Sequence, residues 1–309
     1  MLGDIFFLCA GLGGLIVGAE VLIRGGSRLA AIWGLRPIII GLTVVAFGTS
    51  APEAVVSVLA GLREQSDVAM GNVVGSNIFN IAAILGLASL IRPLAVQADS
   101  IRREVPFAVG SAVLLWVLCI DGRLGVLDGL LLLGCFAFFN AMVFRWVRSA
   151  DEANTRERGS GGVRSSGGLC LLGLALLVAG AHWFVDGSVA LARAWGVSEL
   201  FIGLTIVAAG TSLPELATSV MGAVRGKDDL AIGNVVGSNI FNILLILGLA
   251  AMIHPLTVAP SLLRRDIPVM IALTLVLVPV MRSGFRISRL EGCLLVAAYG
   301  TYLYYASVR

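Results

Sequence analysis

A chain of 309 residues that is 58% hydrophobic and only 13% charged, with a mean hydropathy of +0.97, lacks the polar surface of a soluble globule, in which roughly 25% of residues are charged. Its net charge of +3 gives nucleic acid no basic footprint. Two histidines and five cysteines, the latter set in apolar runs, form neither a metal-ligand cluster nor a nucleophile–base pair, which argues against an enzyme and leaves a polytopic membrane protein.

Each helical crossing needs about 20 apolar residues, so there is room for roughly ten, and the alternation of a membrane barrel is absent. The first span runs from about Ile5 to Ile23 and ends at Arg24 and Arg28. No basic segment precedes it, so it reads as a retained span rather than a cleaved signal. The second starts near Pro37 and reaches about Leu62, broken at Gly48-Thr49-Ser50-Ala51-Pro52, where proline has no N–H to close the helical ladder. The third covers about Val68–Ile91, the fourth Val105–Ile120 and the fifth Leu124–Val143.

Residues 145–168 are charged and rich in Gly and Ser, and read as a solvated flexible linker. The plan then repeats: span six at about Leu169–Val185, seven at Leu200–Val224 with a break at Gly210–Pro214, eight at Leu230–Ile253, nine at Ile267–Met281 and ten at Leu290–Tyr305. The domain reading is a first five-helix repeat over 1–144, a cytoplasmic linker over 145–168 and a second repeat over 169–309. With the N-terminus outside, sixteen of the 22 Lys and Arg residues fall in inward-facing loops, so both termini are expected outside and the linker in the cytoplasm. Five spans per half turn the second copy upside down. The expected fold is an all-α membrane protein of ten transmembrane helices in two inverted five-helix repeats, with helices 2 and 7 broken and the substrate site where the breaks face each other.

One stretch is written twice. GLTVVAFGTSAPE begins at Gly41 and GNVVGSNIFNI at Gly71; GLTIVAAGTSLPE begins at Gly203 and GNVVGSNIFNI recurs at Gly233. Glu53 and Glu215 each follow a proline in the middle of an apolar span, where a carboxylate costs at least about 3 kcal/mol unless it faces a polar cavity, is protonated or binds a cation. Asn72, Ser76 and Asn80, and their copies Asn234, Ser238 and Asn242, recur every fourth residue and so line one helix face. Neutral oxygens beside carboxylates suit hard cations such as Ca²⁺, and no His or Cys nearby favours zinc or copper. A single Ser or Asn also serves helix packing, as do the glycines of Gly11–Gly14. The paired glutamates, in one register after paired breaks, demand a functional reason. His182 and His254, near predicted span ends, read as structural, and Glu20 and Asp186 as solvated.

GTSAPE and GTSLPE, each followed by GNVVGSNIFNI, resemble the two α-repeats of the calcium/cation antiporter superfamily, most nearly prokaryotic sodium/calcium exchangers, over almost the whole chain. The resemblance implies a Na⁺/Ca²⁺ antiporter with ion sites between helices two, three, seven and eight. By motif position its ligands would be the carboxylates of Glu53 and Glu215; the side chains of Thr49, Ser50, Thr211, Ser212, Ser76 and Ser238; the carbonyls of Ala46 and Ala208; and Asn80 and Asn242. Asparagine at both central positions speaks against K⁺ co-transport, and the short linker has no room for regulatory Ca²⁺ domains. No cofactor is expected; Ca²⁺ and Na⁺ are the transported ions, lipid the surroundings, and a bacterial inner membrane the location. A H⁺/Ca²⁺ exchanger is the alternative, since two carboxylates could trade protons for Ca²⁺, and a cation channel is the alternative outside the exchangers.

Overall fold

The computed structural model describes residues 2–151, 162–195 and 208–307. The start of the expected seventh span and residues 152–161 of the expected linker lie outside them. The described chain is almost entirely helical. Its long helices are α1 (Leu2–Ile32), α4 (Ser66–Ile91), α5 (Glu104–Leu118), α6 (Val126–Asp151), α7 (Val163–Ala194), α9 (Asp228–Ile253), α10 (Ile267–Arg282) and α11 (Arg289–Ser307). The broken span is α2 (Pro37–Thr49) followed by α3 (Ala51–Leu62), and α8 (Leu213–Val224) corresponds to α3 in the second half.

The break lies where the prolines require it. Pro52 sits in the first turn of α3, where a missing N–H costs nothing, and α2 meets α3 at 49°. Ser50 leaves helical geometry at ψ 7°, and Ser212 repeats this at ψ 8° ahead of Pro214. Helix ends recur too. Gln65 N–H bonds Ala60 O and Lys227 N–H bonds Gly222 O, both at 2.8 Å, over a left-handed residue that is Gly226 in one half and Glu64 in the other.

Five of the described helices are long and apolar enough to cross a membrane, or six with the bent pair as one span. α4 and α9 form the interior: 72% and 78% of their apolar windows are buried, against 28% for α1 and α7 and 22% for α6. The outer helices instead expose large apolar side chains such as Phe6, Leu127 and Leu171, which is an interior turned toward lipid. α2 and α3 pack on α9, and α8 packs on α4, so each broken element lies against the other half's central helix.

α1 and α7 form the most extensive helix pair. Small residues let their backbones touch: a Cβ on Gly180 would lie 2.7 Å from Leu15 N, and one on Gly173 2.6 Å from Leu22 N. These helices run well past the expected ends at Ile23 and Val185. At about 1.5 Å per residue they exceed a hydrocarbon core of roughly 30 Å. Glu20 then lies inside α1, held by Arg24 at 2.7 Å and by Arg225, at the end of α8, at 2.6 Å. His182 likewise lies within α7 rather than at its end, exposed and 3.3 Å from Asp186.

The expected linker is narrower among the described residues. Helix continues to Asp151 and resumes at Val163, because the Arg and Ala of 145–151 are good helix formers and Gly162 starts the next helix by accepting from Ser166 N–H. Two short antiparallel pairings close the ends of the bundle. Leu94–Ala95 (β1) pairs with Arg286–Ile287 (β4), and Arg123–Leu124 (β2) pairs with Leu256–Thr257 (β3).

Candidate cation site

The two glutamates are fully buried and reach across the two halves of the chain. Ser50 Oγ donates to Glu215 Oε1 at 2.9 Å, and Ser212 Oγ donates to Glu53 Oε1 at 2.8 Å. Ser212 also bonds Ser76 Oγ at 3.1 Å, and Ser238 Oγ lies 3.4 Å from Glu215 Oε1. The breaks make this possible: with helical geometry interrupted at Ser50 and Ser212, each hydroxyl turns from its own helix toward the opposing carboxylate.

A second layer supports the breaks. Asn234 Nδ2 donates to Glu215 O at 3.3 Å and to Ser219 Oγ at 2.9 Å, while Asn72 Nδ2 makes the same two bonds, at the same distances, to Glu53 O and Ser57 Oγ. Thr49 Oγ1 donates to Asn234 Oδ1 at 3.0 Å, and Thr211 Oγ1 reaches Asn72 Oδ1 at 3.5 Å. The carbonyls expected to be free behave unequally. Ala46 O accepts Ser50 N–H at 3.0 Å and faces Thr49 Oγ1 at 3.4 Å, whereas Ser212 N–H turns to Ala209 O at 3.2 Å instead of Ala208.

Asn80 and Asn242 sit at the first residue of a π-helical turn in α4 and in α9, Asn80–Leu85 and Asn242–Leu247. Such turns are frequent at functional sites, where one extra residue re-aims the side chains around it. Asn80 Nδ2 donates to Asn239 Oδ1 at 2.9 Å and Asn242 Nδ2 to Asn77 Oδ1 at 3.0 Å. Asn77 and Asn239 in turn each donate to the other's backbone carbonyl at 3.2 Å.

The two glutamates and the two central asparagines each keep one buried oxygen with no hydrogen-bond donor: Glu53 Oε2, Glu215 Oε2, Asn80 Oδ1 and Asn242 Oδ1. A buried acceptor without a donor costs about 1–3 kcal/mol, and a carboxylate oxygen costs more. Two such oxygens come from each half, two carboxylate and two amide, and hard cations take oxygens of both kinds. No group of three or more His, Cys, Asp or Glu occurs among the described residues.

The structure thus gathers the buried site residues in three hydrogen-bonded groups: Glu53 with Ser212 and Ser76, Glu215 with Ser50 and Ser238, and Asn80 and Asn242 with Asn239 and Asn77. Thr49 joins the Glu215 group through Asn234, and Thr211 joins the Glu53 group through Asn72. Asn77, Asn239, Ser57 and Ser219 were not singled out by sequence. Ser57 and Ser219 stand one helical turn after the glutamates, a spacing that would have found them. Asn77 and Asn239 lie beside the four-residue stripe, and only their recurrence 162 residues apart marks them.

The family described as sodium/calcium exchanger protein matches residues 4–145 and 165–308. Inner membrane protein YrbG of Escherichia coli (strain K12) is 40% identical over 278 residues, covering 87% of this chain and 86% of that one. Sodium/calcium exchanger MaX1 of Methanosarcina acetivorans is 35% identical over 340 residues, covering 97% of each. The solved structure of the sodium-calcium exchanger NCX_Mj soaked with 10 mM Na⁺ and zero Ca²⁺ superposes with a TM-score of 0.85 at 31% identity and covers 99% of both chains. With matches to both halves and such apolar helices, the chain belongs to the sodium/calcium exchanger family and is an integral membrane protein.

Proposed function

We propose that the chain is a secondary antiporter that exchanges Na⁺ for Ca²⁺ by alternating access at one site near the bilayer midplane. The observation that carries this reading is the quartet of donor-free oxygens, Glu53 Oε2, Glu215 Oε2, Asn80 Oδ1 and Asn242 Oδ1, contributed equally by both halves. The names of MaX1 and NCX_Mj point the same way.

Ligation would run through Glu53 and Glu215, with Asn80, Asn242, Ser76, Ser238, Ser50, Ser212, Thr49, Thr211 and the carbonyls of Ala46 and Ala208 as supporting oxygens. Two carboxylates balance one Ca²⁺, and several Na⁺ in the same nest leave it net positive. Without a cation the two carboxylates stand uncompensated in low dielectric, a state in which crossing between inward- and outward-open forms is costly. That cost converts a leak into exchange, because each ion leaves only as the other enters.

Ten spans in two inverted repeats would place the paired breaks face to face. The exchange of hydrogen bonds between halves, and the pairing of β1 with β4 at one end and β2 with β3 at the other, support that arrangement. The domains are then 1–144 and 169–309, joined through a cytoplasmic linker within 145–168, with both termini outside a bacterial inner membrane. α1 and α7, interlocked through glycines, are the element that slides or rocks.

The test is Ca²⁺ uptake into proteoliposomes loaded with Na⁺. Uptake should follow the Na⁺ gradient and vanish in Glu53→Gln and Glu215→Gln. Uptake driven by a pH gradient without Na⁺ would make protons the coupling ion, and uptake indifferent to both glutamates would remove the site assignment.

A further inference from the structure

Asparagine is ambivalent as a cation ligand. One end of its carboxamide is an oxygen that attracts a cation, and the other is an NH₂ that repels one. Asn80 and Asn242 serve the quartet only if their oxygens face inward, and nothing in their own positions fixes that choice. We propose that Asn77 and Asn239 are positioning residues that lock Asn80 and Asn242 as oxygen donors toward the cation. This rests on the exchanger reading for its function but not for its geometry.

The argument begins at two backbone carbonyls, which can only accept. Asn239 O receives a bond from the side chain of Asn77 at 3.2 Å, so the atom of Asn77 facing it is the NH₂. The remaining atom of that carboxamide is therefore Oδ1, and it faces Asn242 at 3.0 Å. An oxygen there requires Asn242 to present its NH₂, which leaves Asn242 Oδ1 pointing away, where it has no donor. The same chain of reasoning runs from Asn77 O through Asn239 to Asn80, at 3.2 and 2.9 Å, and leaves Asn80 Oδ1 free. Reversing any one of the four carboxamides would set two NH₂ groups or two oxygens against each other. Asn77, Asn80, Asn239 and Asn242 are all buried, so water cannot relieve such a clash.

The arrangement also crosses the halves: Asn77 orients the asparagine of the second copy and Asn239 that of the first. Each half thus sets the other half's ligand, as Ser50 and Ser212 do for the carboxylates.

Leucine and aspartate at Asn77 and Asn239 separate this role from packing. Leucine has similar bulk and no acceptor, so the facing carboxamide loses its anchor and can turn its NH₂ to the cation. Aspartate presents an oxygen to that carboxamide whether it is ionised or protonated, and so keeps it aligned. Equilibrium binding of ⁴⁵Ca²⁺ to the purified full chain, alongside Na⁺-driven uptake, reads the difference. Asn77→Leu and Asn239→Leu should weaken Ca²⁺ binding and raise KM by about tenfold or more, the scale on which partners of metal ligands act, and the aspartate variants should shift less. Leucine variants that bind Ca²⁺ like wild type, or aspartate variants hit harder than leucine ones, would show a packing role and overturn the proposal. If a leucine variant fails to fold, Asn77→Ala and Asn239→Ala remove the same acceptor without added bulk. Wild-type protein that binds Ca²⁺ but does not exchange it for Na⁺ would refute the exchanger reading and leave the amide test standing.

Discussion

Ser50 donates its hydroxyl hydrogen to Glu215, a residue of the opposite half, at 2.9 Å inside a fully buried cluster. Ser50→Ala takes away a donor whose loss leaves a buried acceptor poorly satisfied, at about 1–3 kcal/mol. The loss should depend on the carboxylate it serves. A double-mutant cycle of Ser50→Ala with Glu215→Gln should therefore show coupling of about 0.5–3 kcal/mol in thermal unfolding of the detergent-purified protein. The cycle with Glu53→Gln should show less. Ser212→Ala should reverse the preference, because its partner is Glu53 at 2.8 Å. Equal coupling of Ser50 to both glutamates would contradict the crossed pairing.

The two left-handed residues that end α3 and α8 make opposite predictions. Glu64 has φ 58° and Gly226 has φ 65°, a region that costs a residue with a Cβ roughly 1–2 kcal/mol. Glu64→Gly should raise stability by about 1 kcal/mol, since all it gives up is an exposed contact to His254 at 3.8 Å. Gly226→Ala should lower stability by about 1–2 kcal/mol, because alanine there sits in strained left-handed backbone; the Arg92 guanidinium, 2.4 Å from the new Cβ, ends a flexible side chain and can move aside. Melting curves of the two variants that move in the same direction would refute this account.

Glycines in the helices divide by what surrounds them. Gly180→Ala drives a Cβ to 2.7 Å from Leu15 N and 2.9 Å from Gly11 O, so α1 and α7 must part, at about 1–3 kcal/mol. Gly134→Ala, in α6 with nothing within 4 Å, should instead gain up to about 1 kcal/mol from the lower helical cost of alanine. Comparing the melting temperatures of the two variants tests whether the α1–α7 contact is close-packed.

Orientation is open to labelling. In a variant lacking the five cysteines, Arg123→Cys and Thr257→Cys lie at one end of the bundle, and Arg92→Cys and Arg286→Cys lie at the other. A membrane-impermeant thiol reagent added to intact cells should modify the first pair and spare the second until the membrane is opened. The reverse pattern would put both termini inside.

What could be read from sequence followed from how local its cause was. Pro52 and Pro214 mark the breaks because a missing N–H acts within one turn. The stripe of Asn72, Ser76 and Asn80 was visible because helical periodicity is local as well. The limits of α1 and α7 were not, since residues 24–32, 163–168 and 186–194 continue as helix outside the apolar segments that mark the spans. The paired strands were hidden too: two residues each, they exist only because segments more than a hundred residues apart meet at the ends of the bundle. Asn77 and Asn239 look like interior residues of a repeated motif, and their purpose emerges only when the two copies touch.

Among the described residues, every side-chain bond that aims a glutamate's carboxylate or a central asparagine's carboxamide, except that of Ser238, comes from the other half of the chain. A gene specifying one half alone would yield a subunit with a carboxylate and no hydroxyl across from it, an amide and nothing to choose its direction. In the proposed inverted arrangement, such a subunit would work only beside a twin inserted the other way up. With both copies in one polypeptide, that arrangement would need no protein that enters the membrane in both orientations, and each copy is free to change without its twin, as Glu64 and Gly226 show.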